Sequence, residues 1–297
     1  MTQVNDTERT IAVSGATGAQ GEATARALLR GGNCSVRALT RSLSSPAADK
    51  LRRCGAEVVY ADYTDPASLR AALGGATSLF AMTTPFETDV TDEVRQGVAM
   101  LDAAAATGVV EHIVFTSAAN ADRDTGIPHF DSKRRLEQHL AALGVPWTVI
   151  APAAFMDQYT EEWTLQGLGS GVFGRPMPAD KPLALIPEQD IGAFAALVLS
   201  RPDEFTGQRI DIASDERTGE EIATILGVVC GREVAFQQFP IEYAEAHSSD
   251  LAAMFRYFAK VGLEVDIAGL RRTYPEVGWH SLADWVQARS WNLGAEG

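Results

Sequence analysis

His129 and Lys133 stand four residues apart in the run His129-Phe-Asp-Ser-Lys133. A histidine and a lysine at that spacing can move a proton beside a bound cofactor. Lys133 reads as lying one turn into a helix that borders a nucleotide site, where an ammonium bonds ribose hydroxyls and lowers a neighbour's pKa. His129 would sit beside it as proton donor to a carbonyl receiving hydride, provided both residues are helical; Pro128, directly before it, leaves that open. Ser117, at the end of an expected strand, is a further candidate donor.

The stretch Thr10 to Arg30 supplies the reason to expect such a cofactor. Thr10 to Ser14 is a short apolar, β-branched run of the kind that makes a buried parallel strand, and Glu22 to Arg30 reads as a helix. Between them lie Gly15, Gly18 and Gly21. Gly15 permits the tight turn, Gly18 lets backbone N–H groups approach a pyrophosphate, and Gly21 lets helix and strand pack closely. The helix N-terminus then faces the anion, with Thr17, Ala19 and Gln20 completing the loop.

The second strand decides which dinucleotide is expected. An enzyme preferring NAD places a carboxylate about 20 positions past the glycine loop to hold the ribose 2′-OH. Here that place is Arg41, flanked by Thr40 and Ser42, so a guanidinium with two hydroxyl neighbours is set for a 2′-phosphate, and NADP(H) is favoured. Asp62 and Tyr63 follow the third strand, and Thr83, Thr84 and Phe86 follow the fourth, at the strand ends where open α/β sheets bind ligands.

The elements that must position these residues alternate. Strands are expected at Ser35–Leu39, Glu57–Tyr60, Ser78–Met82, His112–Thr116 and Trp147–Ile150, with helices at Ala48–Arg53, Ser68–Leu73, Glu93–Thr107 and Ser132–Leu143. That alternation implies right-handed βαβ units and a parallel sheet covered on both faces. From Phe155 to Pro187 it breaks down into a glycine- and proline-rich stretch read as an irregular lid or substrate loop. Beyond it, Asp190 is expected to cap a helix through Ser200, Gln208–Ala213 and Glu233–Gln238 read as strands, and Thr218 with Glu221 forms a capping box. Helices at Ile241–His247, Asp250–Phe258 and Leu282–Arg289 would build a smaller C-terminal cap.

The net charge of −14, from 25 basic and 39 acidic residues, excludes a phosphate-backbone partner unless arginines cluster, and they do not. Cys34, Cys54 and Cys230 lack metal-ligand spacing and read as indifferent thiols of a reduced compartment. His112, His139, His247 and His280 are too scattered for a metal set and are expected in surface or capping roles. The five tryptophans read as core or interface residues. A polar N-terminus and the lack of a membrane-length apolar run point to a soluble cytoplasmic protein.

Taken together, the GATGAQG loop at 15–21, Thr40-Arg41, the His129 to Lys133 run, the segment GVPWTVIAPAAFMD at 144–157, Asp190-Ile-Gly and the run Asp250 to Tyr257 resemble the NmrA-like family of atypical short-chain dehydrogenase/reductases, above all its NADP-sensing branch. The resemblance implies a Rossmann-type doubly wound parallel sheet with a smaller α/β C-terminal cap. The NADP-binding domain would span 10–154 after a disordered tail at 1–9, with the lid loop, returning strands and a substrate or partner domain over 155–297. It implies NADP(H) on Gly15, Gly18, Gly21, Arg41, Lys133 and the backbone near Pro152 and Phe155. Two activities follow from it: an NADPH-dependent reductase of a quinone or carbonyl compound, or a non-enzymatic sensor of NADP(H) occupancy. The expected partner is accordingly a small-molecule substrate or a regulatory protein, with a homodimer as a candidate assembly. The chain departs from the pattern where active short-chain reductases carry Tyr, since His129 takes that place; Ala151, Asp157 and Ser45 replace residues that are often Arg, Asn and basic.

Overall fold

The structure, a computed structural model, describes residues 9–291, so the tail expected over 1–9 lies outside the described residues except for Arg9. Arg9 itself is anchored, its carbonyl accepting from the Ser35 N–H at 2.9 Å and its guanidinium donating to the Leu199 carbonyl at 2.7 Å.

The first half of the chain alternates strand and helix. In order come β1 (Thr10–Val13), α1 (Ala19–Gly31), β2 (Ser35–Thr40), α2 (Pro46–Arg53), β3 (Glu57–Tyr60), α3 (Pro66–Leu73), β4 (Ser78–Ala81), α4 (Val90–Ala106), β5 (His112–Thr116), α5 (Pro128–Ala142) and β6 (Trp147–Pro152). Helix starts are written locally. Ser45, Asp65 and Asp89 each accept a first-turn N–H, and Pro46 and Pro66 occupy positions where a missing N–H costs nothing. The same logic applies at Pro128, which opens α5 and makes both His129 and Lys133 helical.

These strands join β10 (Arg209–Ile212) in a seven-stranded sheet of order β10-β6-β5-β4-β1-β2-β3. The pairings β1–β2, β1–β4, β2–β3, β4–β5 and β5–β6 are all parallel. Strand order reverses between β1 and β4, which makes their carboxyl ends the crevice of a doubly wound sheet. β4 and β5 are buried along their whole length, as parallel strands covered by helices on both faces must be. Leu69, Leu73, Met100, Leu101 and Leu136 join Phe115 of β5 in one core.

Contacts divide the chain into two compact units. Among the described residues the first takes in 9–117, Ser132–Ala151 and Ile191–Ile210; the second takes in Ala118–Asp131, Pro152–Asp190 and 211–291.

The second unit corrects the expectation of an irregular segment. After β7 (Ala154–Phe155) and a 3₁₀ turn at Met156–Thr160 come α6 (Glu162–Gly169), β8 (Val172–Arg175) and β9 (Leu183–Ile186). Two of the glycines that suggested a loop, Gly167 and Gly174, are close-packing positions instead. A Cβ on Gly174 would lie 2.1 Å from the Phe239 ring, and one on Gly167 would lie 2.8 Å from the Val172 carbonyl. There follow α7 (Glu188–Ser200), α8 (Pro202–Phe205), β11 (Asp215–Arg217), α9 (Gly219–Cys230), β12 (Ala235–Gln238), α10 (Ile241–His247), α11 (Ser249–Lys260), α12 (Ile267–Thr273) and α13 (Leu282–Gln287). β11, β9 and β7 form one small sheet, and β12 pairs parallel with β8 in another. Thr218 and Glu221 make the capping box on α9. Asp190, however, does not cap α7. It lies inside the first turn, and its carboxylate receives the His280 N–H at 2.8 Å and pairs with His280 Nδ1 at 2.7 Å.

Candidate functional site

The glycine loop is built as its residue types require. Gly15 has φ +58°, and a Cβ there would lie 2.4 Å from the Met82 sulfur; a Cβ on Gly21 would lie 2.2 Å from the Gly15 carbonyl oxygen. Gly18 is the N-cap of α1 and offers no side-chain acceptor, so the first-turn N–H groups are not capped by a side chain. Its absent Cβ would meet only the Gly15 oxygen, at 3.4 Å. Uncapped donors at the positive end of a helix, with a cradle a side chain would fill, suit a pyrophosphate. Around them, Thr17 Oγ1 lies 3.4 Å from Thr40 Oγ1, and Gln20 Oε1 accepts from Thr116 Oγ1 at 2.6 Å. Ala19 begins α1.

Arg41 follows β2, and its side chain is 63 % exposed. It pairs with Glu87 at 2.6 Å, a carboxylate from the loop after β4. Neighbouring Ser42 donates its N–H to Thr40 Oγ1 at 3.1 Å. Asp62 Oδ1 accepts from the Thr64 N–H and hydroxyl, which hold its carboxyl below the usual range although burial pulls it upward. The Tyr63 hydroxyl donates to the Met82 carbonyl at 3.0 Å, and burial pushes its pKa up to about 12, so the phenol remains a donor. Thr84 Oγ1 accepts the Phe86 N–H, and the Phe86 ring is exposed. Pro152 ends β6 and Phe155 ends β7.

Lys133 is 8 % exposed, and three acceptors surround its ammonium. These are the Thr83 carbonyl at 2.6 Å, Thr83 Oγ1 at 2.9 Å and Glu93 Oε1 at 2.8 Å. Thr83 Oγ1 donates in turn to Glu93 Oε1 at 2.8 Å, and Ser132 Oγ donates to Glu93 Oε2. The network is internally satisfied, the condition for a buried ion pair to be tolerated. Sequence reasoning missed Glu93. The signal was a carboxylate on the stripe Glu93, Gly97, Met100 and Leu101 that α4 buries.

Ser117 Oγ donates to Glu137 Oε1, whose Oε2 accepts from Arg209 Nε at 3.0 Å; the Ser117 proton is thus committed to a carboxylate. In the second unit, Asp250 holds His129 twice, accepting the His129 N–H at 3.1 Å and pairing with ring Nδ1. Phe130, beside it, packs on Phe258 of the same helix as Asp250. Asn120 is buried and takes φ +63°, the left-handed region that asparagine tolerates better than most residues. Its N–H donates to Asp211, and its side chain bonds the Glu264 carbonyl and N–H, which fixes the turn that leads toward α5. Asp157 is likewise used: it accepts the Glu188 N–H at 2.9 Å and pairs with Arg289.

His112 corrects the expectation of a surface or capping role. It is buried at the start of β5, with Nε2 2.9 Å from Thr148 Oγ1. Thr148 gives its own proton to the Phe205 carbonyl, so it accepts from His112, whose buried Nδ1 has no partner. Burial pushes its pKa down to about 4. Among the described residues no group of three His, Cys, Asp or Glu could hold a metal, and no helix is long and apolar enough to cross a membrane.

A doubly wound sheet with a glycine cradle at its switch point and a cation after β2 defines a dinucleotide-binding protein of the Rossmann class. More narrowly, the chain belongs to the NmrA-like family, whose model matches residues 7–282. It is 32 % identical over 237 residues to the (4-alkanoyl-5-oxo-2,5-dihydrofuran-3-yl)methyl phosphate reductase of Streptomyces griseus, with 79 % of this chain and 78 % of the relative covered. The NADPH-dependent quinone oxidoreductase of Escherichia coli, solved with NADPH, superposes with a TM-score of 0.80 at 26 % identity, covering 94 % of this chain and 99 % of that one. The triphenylmethane reductase of Citrobacter sp., solved with NADP(H), gives 0.81 at 23 % identity over the same shares.

Proposed function

We propose that the chain is an NADPH-dependent reductase of a quinone or carbonyl small molecule. The observation that carries the reading is the buried Lys133 ammonium held on Thr83, just past the end of β4, beside the strand whose glycine loop forms the cradle. The likeness to reductases solved with NADPH or NADP(H) supports it.

NADPH, when bound, supplies hydride to the acceptor, which is the cofactor's chemistry. The chain's own residues bind and orient. Gly15, Gly18, Gly21 and the first-turn N–H groups of α1 hold the diphosphate, with Thr17, Ala19 and Gln20 around them. Arg41, with Thr40 and Ser42, holds the 2′-phosphate. Asp62, Tyr63, Thr83, Thr84 and Phe86 form the rest of the cofactor wall. Lys133 orients the ribose by exchanging one of its Thr83 contacts. His129, one helical turn earlier and held through Nδ1 by Asp250, delivers the proton to a carbonyl acceptor, while a reduced quinone oxygen takes its proton from solvent.

The second reading is a sensor in which a protein partner favours the occupied form. One observation favours it: the Lys133 and Ser117 donors are satisfied inside the protein. Following NADPH oxidation with a panel of quinones and aldehydes separates the two. Steady turnover, with the aldehyde rate lost and the quinone rate kept in His129→Ala, supports the reductase. Saturable NADPH binding without turnover of any acceptor, together with a cofactor-dependent change in assembly, supports the sensor. If neither NADPH nor NADH gave a saturable signal on folded protein, both readings would fall.

A further inference from the structure

Among the described residues Glu93 is the one carboxylate that pairs with Lys133, and its side chain is fully buried. Three stretches of the first unit meet on it. α4 carries it, Thr83 after β4 donates its hydroxyl to Oε1 at 2.8 Å, and α5 brings Ser132 Oγ to Oε2 and the Lys133 ammonium to Oε1 at 2.8 Å. Gly97, one turn beyond Glu93, lets the two helices come this close. A Cβ there would lie 2.6 Å from Leu136 Cδ2 of α5 and 3.1 Å from Thr83 Cγ2. Phe115 of β5 adds only a ring, its centroid 5.6 Å from Nζ.

Packing alone does not call for a carboxylate at this place. Apolar side chains of similar volume hold a buried contact as well as an ion pair does, and often better. What the carboxylate adds is charge, because burial disfavours an ammonium and an opposite charge in contact restores it. It also ranks the contacts that Lys133 makes. The bond to Glu93 is between two charges, whereas Thr83 Oγ1 is a neutral acceptor at 2.9 Å and the easier of the two to give up.

We infer that Glu93 is the positioning residue for Lys133, keeping the buried ammonium charged and held while a ribose hydroxyl takes the place of Thr83 Oγ1. This rests on the reading above, in which Lys133 orients the ribose, and names the group through which it does so.

The test follows the intact protein and Glu93→Gln from about pH 7 to about pH 9, with circular dichroism checking that both stay folded. In the first arm, quinone reduction by NADPH should fall on the alkaline side about one to three pH units earlier in the variant, because the amide leaves the buried ammonium uncompensated. A merely structural role would depress the rate evenly across the range. The second arm needs no acceptor: over the same range the Kd for NADPH should rise about tenfold more in Glu93→Gln than in the intact protein, the loss of one hydrogen bond from a charged donor. If the glutamine variant fails to fold, Glu93→Asp takes its place; it keeps the charge but draws it back by a methylene, and the same displacement should appear at smaller size. Coincident rate profiles, or equal changes in Kd, would overturn the proposal and leave Glu93 as a buried partner of Lys133 and nothing more. Failure of both proteins to reduce any quinone would remove the reductase reading, while the binding arm still decides Glu93.

Discussion

Arg41 and Glu87 meet in solvent, with side chains 63 % and 58 % exposed, and an exposed pair of this kind is worth about 0–1 kcal/mol. A dianionic 2′-phosphate outcompetes such a partner, but not for free. Glu87→Gln should therefore tighten NADPH binding about two- to fivefold, the equivalent of that weak pair, and leave NADH unchanged. Titration of both nucleotides checks this, and Arg41→Glu should weaken NADPH far more than NADH; equal losses would remove Arg41 from the 2′-phosphate. Lys133 is the opposite case. Its pair with Glu93 is almost entirely buried, at 10 % and 0 % side-chain exposure. Removing one partner of such a pair costs about 3–5 kcal/mol, because the other charge is left uncompensated. Lys133→Ala alone thus confounds folding with chemistry. The double variant Lys133→Met with Glu93→Gln should recover most of the stability in denaturant melts and still lack turnover. Recovered turnover would take Lys133 out of the mechanism.

At the scale of elements, His112 ties β5 to β6 and α8 through Thr148 and the Phe205 carbonyl. It is accommodated only as the neutral ring, since a proton on Nδ1 would be buried with no acceptor. Its pKa falls from 6.5 to about 4 on folding, so the unfolded chain binds the proton more tightly and stability rises with pH. The contribution is complete above about pH 6.5 and is lost as pH falls toward 4. Thermal melts across that window should show an acid-side slope that His112→Gln flattens; an unchanged slope would mean other groups govern it. Histidine at the head of a strand gave no hint of this, because its partners lie 36 residues away or further along the chain. The βαβ half from β1 to β5 was legible, since its strands, glycine stops and caps are all local signals. The segment after β6 was not: Gly167 and Gly169 lie inside α6 and Gly174 inside β8, so residues that elsewhere mark turns here interrupt the elements themselves. The candidate site divides the same way. The glycine loop and Arg41 are contiguous with the elements that present them, whereas Glu93, Glu137 and Asp250 find their partners 39, 20 and 121 residues away, through the fold alone.

For the whole molecule the decisive quantity is the charge of −14. The sensor reading raises the question of whether this chain binds DNA directly. Non-specific affinity for DNA comes almost wholly from phosphate neutralisation by Lys and Arg, and it is strongest at low salt, where counterion release is worth most. Only four lysines, Lys50, Lys133, Lys181 and Lys260, are present, and Lys133 is buried on Glu93. Many arginines are paired as well: Arg26, Arg37, Arg41, Arg52, Arg95, Arg123, Arg209, Arg217, Arg256 and Arg289 each meet a carboxylate. The long-range field repels a polyanion before any local contact forms, and lowering the salt strengthens that repulsion instead of relieving it. Fluorescence anisotropy of labelled duplex DNA should accordingly show no saturable rise at low ionic strength, with or without NADPH. A saturable, salt-sensitive signal would require a cationic face assembled by the cofactor-bound form and would overturn this expectation.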